Sequence, residues 1–146
     1  MNLLRNIITD TVFLEKLIPQ SAPFVMVDEL LYFSEEKVVS GLTVNNTNLF
    51  TYQNKFTAPG IVEHMAQTVA LYTGYQYFLK GEPAPIGYIG AIKKVEINTL
   101  PNVSNKLVTT ATILHEFMDV TLVSIETQCN SVTIAMSEMK TVLAKK

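Results

Sequence analysis

The chain has 146 residues, of which 48% are apolar and 16% charged, so it can bury a sizeable core and is not expected to be disordered. This length suits a single domain, which we expect to span residues 1–146. A net charge of −2 and a pI near 5.6 give no sign of a nucleic-acid surface. One cysteine and two histidines exclude an intramolecular disulfide and a usual zinc site, and they fit a reducing compartment.

The first part of the chain is predicted to hold a helix and a β-hairpin. Residues 2–17 mix apolar and charged side chains, which predicts an amphipathic helix rather than a signal peptide, and a cytoplasmic location follows. Residues 24–33 and 37–44 are rich in strand-forming residues and are predicted to pair as a hairpin. Residues 45–56 are polar and are predicted to be a loop.

A long buried helix is predicted over residues 57–79. It holds one formal charge, Glu63, and its apolar residues lie on more than one side. A helix that is apolar all round is normally enclosed by other elements. Polar residues spread along it make it too polar to span a membrane, so no membrane partner is expected. A cation, a glycine and a proline in residues 80–83 mark its end.

Four further strands are predicted, over residues 86–100, 106–117, 119–129 and 132–143. The short turns between strands imply antiparallel pairing. The predicted fold is therefore α+β: an antiparallel sheet of about six strands wrapped around one long helix, with an additional N-terminal helix. This arrangement resembles the hot-dog fold. Such a sheet leaves one side of the helix and one strand edge open, and a homodimer would cover both.

Glu63 has two interpretations. If Gly60 is the N-cap of the central helix, Glu63 is the N3 residue of a capping box, favoured by the helix dipole and by free backbone N–H groups. Alternatively, partial desolvation at the mouth of an apolar helix prepares this carboxyl for acid or base catalysis. The N–H groups at the same helix start would then stabilise a carbonyl oxygen that gains charge. The second interpretation suits chemistry beside a carbonyl, such as that of an acyl thioester.

Three segments resemble one known family. Residues 17–28, LIPQSAPFVMVD, resemble the opening of the β-hydroxyacyl-acyl-carrier-protein dehydratases. Pro59-Gly60 and residues 63–67, EHMAQ, resemble that family's Pro-Gly and Glu-Ala-Met-Ala-Gln helix, and residues 88–94, YIGAIKK, are similar to its next strand. The resemblance covers nearly the whole chain and is strongest to the divergent bacterial branch associated with aryl-polyene and flexirubin-type pigments. It implies dehydration of a 3-hydroxyacyl thioester without a metal or organic cofactor.

The resemblance also implies the site residues and partners. Glu63 corresponds to the family's acid, whereas residues 50–56 replace the family's Gly-His-Phe segment and contain no histidine. The base is predicted to be His64, with packing at a dimer contact as its alternative, or Glu63 acting in two steps. His115 is predicted to be a surface residue. The thioester would be carried by acyl carrier protein or coenzyme A, and the homodimer could assemble further. The predicted substrate-binding residues are Gly60 and Ile61 through their N–H groups, and Gln67, Gln53 and Phe56.

Some alternatives remain at this stage. Gln67 either positions Glu63 or is a core amide, and Gln20 and Gln53 either reach the site or are simply exposed. Lys93 and Lys94 would attract an acidic carrier protein, unless they straddle a strand with only one exposed. A thioesterase using the helix carboxylate is a second hypothesis. A non-catalytic acyl-binding subunit, paired with a hot-dog protein that supplies the histidine, is a third.

Overall fold

A computed structural model describes residues 1–144 and shows one sheet wrapped around one long helix. The elements are α1 (Thr11–Leu17), β1 (Glu29–Phe33), β2 (Lys37–Thr43), β3 (Thr51–Tyr52), β4 (Lys55–Phe56), α2 (Ala58–Leu79), β5 (Gly87–Ile97), β6 (Lys106–Phe117), β7 (Val120–Cys129) and β8 (Val132–Leu143). Among these residues, six strands form an antiparallel sheet in the order β1-β2-β6-β7-β8-β5. The predicted α+β hot-dog fold is confirmed.

Helix α2 is buried because the sheet curls around it. Ile61, Met65 and Leu71 are fully buried, and hydroxyl groups pair where polar residues face each other, as in the 2.7 Å contact between Ser40 and Thr68. The end of α1 crosses α2 at Gly74, where the carbonyl of Leu17 fills the space that a Cβ would take. Within residues 1–144, no helix has the length and hydropathy needed to cross a membrane.

The helix predicted over residues 2–17 is wrong for its first half. The N–H of Leu3 donates to the carbonyl of Phe33 at 2.7 Å, and Ile8 exchanges two backbone hydrogen bonds with Leu30. Residues 3–8 therefore lie along the outer edge of β1 and satisfy backbone groups that would otherwise be unpaired. The helix begins only at Thr11, where the Asp10 carboxylate accepts from two N–H groups as N-cap.

The strand predicted from residue 24 begins later, at Glu29. The backbone of Phe24 and Met26 pairs with side chains of α2 instead of a neighbouring strand: the Phe24 carbonyl accepts from Gln67, and the Met26 carbonyl contacts His64. The predicted loop 45–56 contains the small β3–β4 hairpin, whose turn residues Gln53 and Asn54 have positive φ angles of 49° and 66°. Asparagine tolerates this conformation better than most residues.

The capping box predicted at the start of α2 is also wrong. The N-cap is Thr57 rather than Gly60, and Glu63 is the sixth residue of the helix, outside the first turn. The Thr57 hydroxyl donates to the Phe50 carbonyl at 2.7 Å and makes no cap bond. Because the helix begins earlier, the N–H of Ile61 is already bonded to the Thr57 carbonyl at 3.0 Å. Glu63 therefore does not cap this helix.

Strand β5 is an edge strand that is exposed along almost its whole length. Its pairing with β8 shifts register twice, leaving Gly90 and Lys94 as extra residues. Bulges of this kind change which face the following side chains occupy. Ile89, Ile92 and Val95 all come to the helix-facing side, opposite Thr141, Met139 and Ser137. They nevertheless remain between 42% and 44% exposed, so α2 of the same chain does not cover them.

Candidate active site

A groove lies between α2, the segment that follows α1, and the adjacent ends of β5 and β8. Its cavity volume is about 90 Å³, and the groove is partly open to solvent. On the helix side, small or short side chains at Ala66, Ala70 and Thr73 keep it open beyond Glu63. Its lining consists of Leu17, Pro19, Gln20, Glu63, Ala66, Val69, Ala70, Thr73, Pro85, Gly87, Tyr88, Ile89, Thr141 and Leu143. Among the described residues of this lining, Glu63 supplies the one carboxylate.

Glu63 is held by Gln67, one helical turn further along α2. The Gln67 Nε2 atom donates to Glu63 Oε1 at 3.1 Å and to the Phe24 carbonyl at 2.8 Å. The Gln67 Oε1 atom accepts from the Met26 N–H at 2.6 Å. Because both the oxygen and the nitrogen of the side-chain amide form hydrogen bonds, these partners fix the orientation of Gln67. Both interpretations of Gln67 therefore hold. Its side chain is fully buried, as a core amide would be, and it donates a hydrogen bond to the Glu63 carboxylate.

His64 does not face this groove, contrary to its predicted role as base or dimer contact. It lies in the core between α2 and the sheet, because consecutive helical residues point about 100° apart. Its Nδ1 atom is 2.6 Å from the Met26 carbonyl and its Nε2 atom is 2.8 Å from Thr109 Oγ1. A carbonyl can only accept, so Nδ1 carries the hydrogen and Nε2 accepts from Thr109. The imidazole is therefore a neutral, fully engaged structural group.

Burial lowers the pKa of His64 to about 4, although its hydrogen bond to Met26 acts in the opposite direction. In the unfolded chain the same group binds a proton at its usual pKa of 6.5. The unfolded state therefore holds more protons between these values, and stability falls as the pH drops through this window. We expect His64 to remove about 3 kcal/mol of unfolding free energy between pH 7 and pH 4.

Urea unfolding of the wild type and of His64→Gln at several pH values measures this loss. The variant is expected to show a smaller decrease toward acid, and His115→Gln, on the exposed part of β6, keeps the wild-type decrease. An unchanged pH dependence in His64→Gln would mean that the imidazole does not stay neutral in the folded protein.

The other predicted substrate-binding residues do not line this groove. Gly60, Ile61 and Phe56 are buried, and a Cβ at Gly60 would lie 2.6 Å from Phe50 and 2.7 Å from Phe56. The predicted oxyanion contact through Ile61 fails, because its N–H group is already bonded within the helix. Gln53 is exposed at the tip of the β3–β4 hairpin. Within one chain, the structure brings together only Glu63 and Gln67 of the predicted set.

Gln20, for which the sequence left open a place in the site or solvent exposure, is a groove residue. The residue is half-buried and lines the groove wall, and the oxygen of its side-chain amide, Oε1, is fully enclosed. Lys93 and Lys94 are both exposed, so the alternative with only one exposed lysine is wrong. His115 is exposed, as predicted. Within residues 1–144, no group of three or more potential metal-ligating side chains is present.

Fold and groove together define a hot-dog protein with a carboxylate on its central helix. The sequence model of the ApeP-like family, described as ApeP dehydratase, matches residues 12–141. The chain belongs to this family. The expectation of a dehydratase-like protein, a hydro-lyase of acyl thioester chemistry, is thereby confirmed. No curated protein sequence matches the chain significantly.

Solved structures share the fold at low sequence identity. The dehydratase heterocomplex ApeI:P from Xenorhabdus doucetiae matches with a TM-score of 0.85 and 17% identity, over 91% of this chain and 91% of that chain. The PaaI protein from the phenylacetic acid degradation operon of E. coli has a TM-score of 0.63 and 15% identity, over 77% and 80% of the two chains. A hypothetical thioesterase from Streptococcus pneumoniae, solved with coenzyme A, has a TM-score of 0.65 and 8% identity, over 80% and 85%.

Proposed function

We propose that Glu63 is the acid–base residue of a site that removes water from a 3-hydroxyacyl thioester and leaves the trans-2-enoyl thioester. The observation that carries this proposal is that Glu63, in the wall of a mostly apolar groove, accepts a hydrogen bond from the buried Gln67 behind it. An acyl chain needs apolar walls, and the elimination needs one positioned group that can take up and return a proton. The dehydratase family of the chain supports the same reaction.

The elimination can proceed through Glu63 alone in two steps. The Glu63 carboxylate removes a proton from C2, and the electron pair moves onto the thioester carbonyl oxygen. The resulting carboxylic acid then protonates the hydroxyl on C3 as the C3–O bond breaks, the electron pair returns to form the C2=C3 double bond, and water leaves. The hydrogen bond from Gln67 keeps the Glu63 carboxyl in one orientation through both steps.

In the alternative to Glu63 acting alone, a neighbouring chain supplies the base. The described residues of the groove include no histidine that could do so. We propose that a second chain pairs with the free edge of β5 and covers Ile89, Ile92 and Val95, which lie bare on the helix-facing side. We also propose that in a homodimer the β3–β4 hairpin of one chain, which contains Gln53 and Phe56, approaches Glu63 of the other. Higher assembly is compatible with the same pairing.

A different hot-dog chain could take the place of the second copy. This alternative is supported by the Xenorhabdus doucetiae relative, which was solved as a dehydratase heterocomplex. In that arrangement the present chain supplies the Glu63 groove and the partner supplies the histidine. A thioesterase activity is the remaining alternative, since a structurally similar hypothetical thioesterase was solved with coenzyme A.

The carrier of the acyl chain is proposed to be acyl carrier protein, with coenzyme A as a smaller substitute. The exposed Lys93 and Lys94 on β5 suit an acidic carrier, because opposite charge raises the rate of encounter at low ionic strength. We place this reaction in the cytoplasm, in fatty-acid or polyene-type synthesis.

A single assay tests the proposed function. Purified protein is given 3-hydroxyacyl thioesters of several chain lengths, both carrier-bound and free, and the enoyl absorbance and free thiol are followed together. We expect enoyl product without thiol release. Thiol release without enoyl product would establish the thioesterase alternative. If enoyl product forms only after a histidine-bearing hot-dog chain is added, the heterocomplex is the active form, and absence of both products in every combination would reject the proposal.

A further inference from the structure

The side chain of Gln20 carries an unsatisfied polar group in the wall of the groove. Its Oε1 atom is completely enclosed and accepts no hydrogen bond from any described residue. The side chain as a whole is half-buried and lines the same groove as Glu63. An enclosed amide oxygen without a donor destabilises a folded protein, so such groups are rare, and a bound donor would recover the lost hydrogen bond.

The path of the chain explains why Gln20 faces the groove. The Leu17 carbonyl packs against α2 at Gly74, and the Phe24 carbonyl is bonded to Gln67. Between these two fixed points the chain runs along α2 from its C-terminal part toward Glu63. Gln20 lies midway, and its side chain shares the groove lining with Ala66 and Ala70. Two anchored ends therefore hold a glutamine in the same groove as the Glu63 carboxylate.

We propose that Gln20 recognises the 3-hydroxyl group of the substrate, an inference that rests on the proposed function. A hydroxyl has one hydrogen to donate and an oxygen that can accept, and the groove offers a matching pair of partners. The Gln20 Oε1 atom accepts the hydroxyl hydrogen, after rotation about the flexible side-chain bonds. The hydroxyl oxygen then receives the proton of the Glu63 carboxylic acid as the C3–O bond breaks, so both hydrogens of the departing water are accounted for.

This role makes Gln20 a specificity residue that separates 3-hydroxyacyl chains from saturated ones. The amides of the pantetheine arm could also donate to Gln20, but they are present in both kinds of substrate. A preference for the hydroxylated chain therefore indicates a contact of Gln20 with the 3-hydroxyl group, whereas a contact with a pantetheine amide would give no preference.

The experiment measures binding without turnover. Two pantetheine thioethers are used, one with and one without a hydroxyl at the position of C3, because a thioether lacks the carbonyl that makes elimination possible. Wild-type protein is expected to bind the hydroxylated ligand about fivefold to tenfold more tightly, as one recovered hydrogen bond would give. In Gln20→Met this preference is lost while the affinity for the ligand without hydroxyl is kept.

A matched control is Gln76→Met, the same change at a half-buried position of α2 outside the groove, which should keep the preference. The melting temperature of Gln20→Met is expected to rise, because an unpaired enclosed oxygen is removed.

Equal weakening of both ligands in Gln20→Met, or no preference in the wild type, would overturn the inference. Hydroxyl selectivity without any enoyl formation would instead reject the proposed function and keep the binding role of Gln20. If Gln20→Met does not fold, Gln20→Glu keeps an acceptor and is expected to retain the preference that Gln20→Leu loses.

Discussion

Glu63→Gln is expected to lower kcat/KM for dehydration by about 10²–10⁴-fold, because the groove loses the group that we propose takes up and returns the proton. The fold should be unaffected, since the amide oxygen of a glutamine at this position can still accept the hydrogen bond from Gln67. Enoyl absorbance measures the activity, and a melting curve measures the stability. The contrast between lost activity and retained stability identifies a chemical rather than a structural role.

The matched control for this variant is Glu82→Gln, the same change at an exposed position just after α2. It should retain wild-type activity. Full activity in a folded Glu63→Gln protein would exclude Glu63 from the chemistry and leave it as a polar partner of Gln67.

Ile92→Glu is expected to convert the assembled protein to single chains at micromolar concentration and to reduce activity with it. Ile92 is 44% exposed in the isolated chain and lies on the helix-facing side of β5, where the proposed second chain would bury it. Placing an unpaired carboxylate in such an interface costs roughly 3 kcal/mol, which weakens association about a hundredfold. Light scattering across a concentration series measures this change.

Val132→Glu provides the comparison for the edge variant, because Val132 is an exposed apolar residue at the turn between β7 and β8, outside the part of β8 that pairs with β5. It should leave the mass of the assembly unchanged. A wild-type protein that is a single chain at all concentrations would contradict the pairing through β5, and so would an Ile92→Glu protein with the wild-type mass.

The main features of the fold could be predicted from local patterns. Helix α2 is apolar on all sides, which only a buried helix tolerates, and the strands after it alternate between clear turns. The N-terminal segment could not be predicted in this way. Its apolar spacing suits a helix, but its backbone is needed to pair with the edge of β1. The two bulges of β5 depend on backbone pairing with β8 and could not be predicted from the residue pattern of β5.

In the candidate site, too, some residues could be predicted from local sequence patterns and others depended on tertiary contacts. Glu63 was accessible from the sequence as the single charge of a buried helix, and Gln67 followed from helical spacing. The direction of His64 depended on where the sheet lies around α2, which the sequence did not determine. Gln20 sits in a loop, and its place in the groove depends on the close approach of Leu17 to Gly74. The signal that could have indicated this contact is Gly74 itself, a glycine inside a helix where a close neighbour requires it.

The backbone pairing of residues 3–8 with β1 has a consequence for how large an assembly can grow. Within residues 1–144, β1 and β5 are the two ends of the sheet, and the pairing occupies the β1 end. A protein with two open ends can add copies in both directions without limit and form filaments. With one end occupied, joining two chains through β5 uses the last open end of each. In the proposed dimer, growth by strand addition would therefore stop at two chains, and any larger assembly would need contacts other than strand pairing.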